Sequence, residues 1–124
     1  MLRFLNILVK FKLKRTSRVW QAMLGIEVPT PLPDGLILPH PYGVVINPGA
    51  KIGVNCIIYQ NATIGSDVFG NVPQIGNNVI IYSGACVIGK VIVGNNVVIG
   101  ANAVVIRDVP DGATAVGVPA RCVQ

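Results

Sequence analysis

The sequence predicts an all-β chain built as a parallel β-helix, and three observations predict it. First, residues 75–105 repeat in sixes, with Ile75, Ile81, Val87, Val93, Ile99 and then Val105 at the first place. The fifth place holds Val79, Ala85, Val91, Val97 and Ala103, always small or β-branched. Second, the same register runs upstream through Ile46, Ile52, Ile58 and Ile64, with Ala50, Cys56, Ala62 and Val68 at the fifth place. Third, Gly, Asn and Ser crowd the places between. A period of six fits neither a helix nor a long strand, but it fits a short strand and a turn, repeated. The fifth place and the next first place lie two residues apart, so their side chains share one face of an extended segment. Gly and Asn then turn the corner, because they tolerate left-handed backbone angles.

The elements follow in order. Residues 1–24 mix Leu2, Phe4, Leu5, Ile7, Leu8 and Trp20 with Arg3, Lys10, Lys12, Lys14, Arg15 and Arg18. This reads as a short amphipathic helical segment. Charges interrupt its apolar run and no small-residue cleavage site follows, so no signal peptide is expected. It suits a cap on the open end of a solenoid or, through residues 1–18, a contact with an anionic membrane surface. No stacking aromatics or recognition motif accompany the charge, so no nucleic-acid partner is expected. Residues 25–39 form a Pro-rich connector, in which Pro29, Pro31 and Pro33 argue against helix and central strand alike. Residues 40–124 form the β-helix domain. Between Ile64 and Ile75 the spacing departs from six, so extra residues sit within 66–74 and form a loop on one edge, a common working place. From Pro110 the register loosens, and Pro and Gly there are expected to end the stack.

Composition bounds the rest. At 124 residues the chain is one domain. It is 52% hydrophobic and 12% charged, yet no apolar run reaches the ~18 residues of a membrane span. The net charge of +5 belongs to the first 18 residues, which hold no acid; from Val19 onward basic and acidic residues nearly balance. Cys56, Cys86 and Cys122 form no C-x-x-C pair, and Cys56 falls at an inward place, as a small buried hydrophobe does. A reducing cytoplasm is the expected location.

One histidine, His40, falls at a first place by count, where later coils have Ile or Val. A polar residue that breaks a consistent pattern is where function is expected. Imidazole changes charge near neutral pH and suits general-base work. No Cys or Ser dyad is offered, and direct transfer to a hydroxyl needs none. An oxyanion needs donors, and a backbone N–H at Gly65 or Ser66 is the candidate.

The segments HPYGVVINPGAKIG, NATIG, PQIGNNVIIYSGACVIG, IGANAVV, DVP and GVPAR together resemble the left-handed β-helix acyltransferases with hexapeptide repeats. Within these the chain resembles the serine acetyltransferases and their relatives that acetylate sugars and polysaccharides, over roughly residues 25–123. The resemblance implies a left-handed helix, acetyl-CoA as co-substrate with no metal, and a homotrimer whose subunit boundaries hold the sites. It implies that His40 accepts the proton of the attacking hydroxyl. It assigns cofactor contacts to Ser83, Ala101, Ile106, Arg107 and Arg121, with the two arginines suited to phosphates.

The departures bear on the acceptor. Serine acetyltransferases carry Asp just before the histidine and again fifteen residues ahead of it; here Pro39 and Gly25 stand there. Glu27 or Asp34 is then left to orient His40, and Glu27 is preferred. Those enzymes place Arg-His before the Pro of the loop, and here Asn71 and Val72 precede Pro73. The expected activity is therefore acetyl transfer to a hydroxyl on a sugar or polysaccharide intermediate, in the cytoplasm and with the inner membrane surface as a candidate workplace. Serine O-acetyltransfer is the alternative acceptor reading, and a non-catalytic scaffold is the alternative class. The zinc carbonic anhydrases of this fold need three histidine ligands, which one histidine per chain does not supply.

Overall fold

The computed structural model describes residues 25, 27 and 32–123. The expected N-terminal helical segment, its basic cluster and residues 26 and 28–31 of the connector lie outside the described residues. The strands are β1 (Val45–Ile46), β2 (Lys51–Ile52), β3 (Ile57–Ile58), β4 (Thr63–Gly65), β5 (Gln74–Ile75), β6 (Ile80–Ile81), β7 (Cys86–Ile88), β8 (Ile92–Val93), β9 (Val98–Ile99), β10 (Val104–Val105), β11 (Thr114–Val116) and β12 (Arg121–Cys122). They form three sheets. Face 1 is β1-β4-β7-β10, face 2 is β2-β5-β8, and face 3 is β3-β6-β9-β11 with β12 at its end. The chain visits the faces in that order and repeats, so three hexads make one coil of a left-handed parallel β-helix. Val45 lies beside Thr63, Gln74 beside Ile92, and Ile80 beside Val98.

The inward places are those the repeat marks. Ile46, Cys56, Ile58, Ala62, Ile64, Ile75, Val79, Ile81, Ala85 and Val87 are buried, and the pattern continues to Val105. Ala50 and Ile52 are only partly buried and pack against this core. Cys56 is fully enclosed with its Sγ 3.3 Å from the Gly76 carbonyl, and burial pushes its thiol above the ordinary value. The edge between faces 2 and 3 is held by a ladder of side-chain oxygens. Asn77 Oδ1 accepts the Val54 N–H at 2.9 Å, Asn95 Oδ1 the Asn77 N–H at 2.8 Å, and Asp111 Oδ1 the Asn95 N–H at 2.7 Å. Asn55, Asn78 and Asn96 take left-handed φ on this edge, and Asn61 and Asn102 on the edge from face 3 to face 1. Asn is the non-glycine residue best suited to that conformation.

Three expectations of register need correction. His40 does not occupy an inward place: it is exposed, while Leu36, Leu38, Val44 and Ile46 point in. The corner holding residues 39–43 is longer than later corners. Pro39 and Pro41 fold inward on either side and carry His40 out. Val68, counted at a fifth place, is 92% exposed because the chain leaves the stack after β4. The stack also does not end at Pro110. Val109 bridges to Val93, Ala113 and Ala115 enter the core, and β11 pairs parallel to β9. Only then does the chain reverse, through a turn with a cis Val118–Pro119 bond, into the antiparallel β12.

The outward rows differ by face. Face 1 shows Val45, Thr63, Cys86 and Val104, all half-buried. Face 3 shows Ile57, Ile80, Val98 and Thr114, also half-buried. Face 2 shows exposed Lys51, Gln74 and Ile92. Among the described residues no helix is long and apolar enough to cross a membrane.

Candidate active site

His40 lies on the edge from face 3 to face 1. The His40 carbonyl accepts the Tyr42 N–H at 2.7 Å, which tightens the corner. The Tyr42 carbonyl accepts the Asn61 N–H at 2.9 Å and so binds this corner to the one above. The Gln60 carbonyl accepts from Gly84 at 3.1 Å, and the Ser83 carbonyl accepts from Asn102 at 2.9 Å. Tyr42, Gln60, Ser83 and Ala101 therefore climb one edge, one per coil, and His40 stands on the same edge two residues before Tyr42. At about 4.8 Å per rung, Ala101 stands about 14 Å above Tyr42. The rings of Tyr59 and Tyr82 stack on the same edge, 5.0 Å apart and 15° from parallel, and Tyr42 is 57% exposed beside His40. The His40 ring makes no hydrogen bond or ion pair among the described residues, so it is free to meet a ligand.

Glu27, Gly65 and Ser66 come together elsewhere. They line a groove of about 550 Å³ on face 1, toward the edge it shares with face 2, with Val45, Asn47 and Pro48. Glu27 sits one rung below β1: its N–H donates to the Val44 carbonyl at 2.8 Å, and its carbonyl accepts from Ile46 at 2.6 Å. The structure does not bring Glu27 to His40, and no hydrogen bond or ion pair joins them. Asp34 lies on the edge between faces 2 and 3, under Asn55, and does not reach His40 either. The reason is geometric. A coil is three hexads, so a residue two hexads before His40 sits on a different part of the prism.

The five cofactor candidates divide in the single chain. Ser83 and Ala101 share His40's edge. Ile106 and Arg107 follow β10 onto the edge between faces 1 and 2, both exposed. Arg121 is exposed in β12, at the end of face 3. Among the described residues no group of three His, Cys, Asp or Glu side chains is placed to hold a metal ion.

The loop after β4 is closed by its own acid. Asp67 Oδ1 accepts from the N–H groups of Phe69 at 2.8 Å and Asn71 at 3.0 Å, and Oδ2 accepts from Asn71 Nδ2 at 2.9 Å. The Asn71 side chain, with these backbone donors, holds the Asp67 carboxyl below its ordinary value. Val68 and Phe69 are thereby held out at the tip, 92% and 86% exposed. The sequence reading missed this closure, although Asp and Asn four apart in a loop are its signature. It also passed over Gln60, whose Oε1 is enclosed and accepts no hydrogen bond among the described residues.

Comparison with known proteins agrees with this fold. The family described as bacterial transferase hexapeptide (six repeats) matches residues 73–107. A serine acetyltransferase of Synechococcus elongatus is 38% identical over 112 residues, covering 86% of this chain and 46% of the relative. The chain resembles the serine acetyltransferases in its hexapeptide-repeat β-helix. The crystal structure of the Neisseria gonorrhoeae serine acetyltransferase superposes with a TM-score of 0.76 at 34% identity, over 84% of this chain and 42% of that one. A serine acetyltransferase solved in complex with CoA superposes with a TM-score of 0.69 at 28% identity, over 93% of this chain and 52% of that one. The chain spans about half the length of the curated relatives it matches.

Proposed function

We propose that the chain is an acetyl-CoA-dependent O-acetyltransferase with His40 as general base. The observation that carries this reading is the edge itself: an exposed, unengaged imidazole in line with Ser83 and Ala101, on a β-helix of the serine acetyltransferase type. The imidazole takes the proton of the acceptor hydroxyl as its oxygen attacks the thioester carbonyl. The carbonyl becomes an oxyanion, and because Gly65 and Ser66 lie across face 1 from His40 in one chain, their N–H meets it from a neighbouring copy. Collapse breaks the carbon–sulfur bond, and the thiolate takes the proton back from the imidazolium. The products are an O-acetyl ester and CoA. Ser83, Ala101 and Ile106 lie along the pantetheine arm, and Arg107 and Arg121 meet the phosphates.

The working unit is a homotrimer. Faces 1 and 3 border His40's edge and carry half-buried, largely uncharged rows, while the row of face 2 is exposed. Packing face 1 of one copy on face 3 of the next covers both rows and turns the borders of face 1 into clefts between copies. The proposed location is the cytoplasm, with residues 1–18 as the proposed membrane contact.

Serine is the acceptor that the relatives support, which reverses the order drawn from the sequence. A sugar hydroxyl is the second reading, and the loop favours it. Asn71 and Val72 replace the cationic pair, Asn71 is tied to Asp67, and Val72 is half-buried, so the loop offers no clamp for a carboxylate. Thiol release from acetyl-CoA, measured with serine and a panel of sugars, tests both. Turnover with serine above every sugar supports the first acceptor, the opposite ranking supports the second, and no turnover with any hydroxyl acceptor refutes the activity.

A further inference from the structure

The corner before β4 holds an acceptor with no donor. Gln60 Oε1 is enclosed by protein and unpaired among the described residues. Folded chains rarely keep a buried polar atom unmatched without a use for it. One rung below, Gln60 rests over Tyr42, and two residues before Tyr42 on the same corner stands the converse, the His40 ring, whose N–H meets no acceptor there. The two corners are pinned together from both sides. The Ile58 N–H donates to Ile37 at 3.0 Å, and the Asn61 N–H donates to Tyr42 at 2.9 Å. Rungs are about 4.8 Å apart, within reach of two side chains that turn about their own bonds. The residues that the sequence offered for orienting His40, Glu27 and Asp34, lie on other parts of the prism.

A neutral imidazole works as a base only through its bare nitrogen, and an acceptor on the other nitrogen fixes which one is bare. We propose that Gln60 is a positioning residue for His40: its Oε1 accepts the imidazole N–H and keeps the opposite nitrogen bare toward the acceptor hydroxyl. The inference rests on the reading of His40 as the base. An uncharged amide orients the ring without the added pull that a carboxylate exerts on an imidazolium. Among the described residues the titratable groups on this edge are Tyr42, Tyr59 and Tyr82. Arg121 lies beyond it, in β12 at the end of face 3.

Because His40 is the only histidine of the sequence, one set of imidazole nitrogen signals reports its tautomer by NMR in the untagged, full-length oligomer. The wild-type chain is expected to show a single tautomer above the titration midpoint. Gln60→Leu is expected to mix the tautomers and to lower kcat about tenfold with the KM for acetyl-CoA unchanged. Gln60→Glu is expected to restore the tautomer and to move the midpoint of the kcat/KM against pH profile up by about one unit. A wild-type tautomer pattern in Gln60→Leu, or an unmoved midpoint in Gln60→Glu, overturns the inference. Should Gln60→Leu not fold, Gln60→Glu carries the test alone. The tautomer reading is independent of turnover. Full activity in His40→Asn would overturn the base assignment by itself, whatever the tautomer shows.

Discussion

Gly76 tests the stack at one of its close coil approaches. A Cβ added there would lie 2.5 Å from Asn95 Oδ1, 2.7 Å from the Gly94 carbonyl oxygen and 2.8 Å from the Gly94 carbonyl carbon. Ordinary contact begins at 3.4 Å, so Gly76→Ala must open this rung by about 0.7–0.9 Å. The hydrogen bonds from Gly76 to Val93 and from Asn77 to Asn95, both 2.8 Å, then stretch past the useful range. Two lost bonds at about 1 kcal/mol each, with about 1–3 kcal/mol of overpacking, give about 3–5 kcal/mol. A stiffer unfolded chain returns about 0.4–1 kcal/mol, leaving a loss near 3–4 kcal/mol. Gly112→Ala is the control. Its φ is +72° but nothing lies within 4 Å of the added carbon, so it bears only the left-handed backbone cost of about 1–2 kcal/mol. Urea unfolding at fixed protein concentration measures both. A Gly76→Ala loss no larger than that of Gly112→Ala would refute the close coil approach.

Other consequences can be measured on the same material. Ile80→Glu puts a charge in the half-buried row of face 3, between Ile57 and Val98, and is expected to release monomers in sedimentation; a stable trimer would contradict the proposed packing. The folded Asp67 carboxyl titrates below its unfolded counterpart, so its loop closure holds at full strength above the ordinary carboxylate range and is lost as pH falls through the folded value. Asp67→Ala is therefore expected to speed amide exchange at Phe69 and Asn71 near neutral pH, with little change at a pH low enough to protonate the wild-type carboxyl. Equal exchange in the two chains at neutral pH would refute the closure.

Much of this fold was legible because its signal is local. Each hexad states its own inward pair, so Ile58, Val79, Val87 and Ile99 could be assigned without knowing the rest. What escaped was corner length. Counting in sixes treats every corner alike, and it gave His40 a first place, where later coils hold an inward Ile or Val, although two buried prolines carry it out. The same counting carried Val68 inward across an insertion. The end of the stack was misjudged for a different reason. Pro110 and Gly112 are turn residues in any corner, while Ala113 and Ala115 still alternate inward as the earlier pairs do. At the site, His40, Ser83 and Ala101 were singled out separately by their motifs, and only the structure shows that they lie on one edge. Glu27 does not lie there, because sequence distance does not tell which face a residue reaches until the coil length is known. Gln60 gave no sequence signal at all: its interest lies in an unmatched buried oxygen, and burial appears only in three dimensions.

The most direct measurement is turnover by His40→Asn. The ring is exposed and unbonded, so the substitution is expected to change stability by no more than about 0.5 kcal/mol. Loss of a general base is expected to slow thiol release from acetyl-CoA by about 10²–10⁴-fold. A fall of that size in a chain with unchanged size and unfolding midpoint is the predicted result, and wild-type turnover in that chain would contradict it.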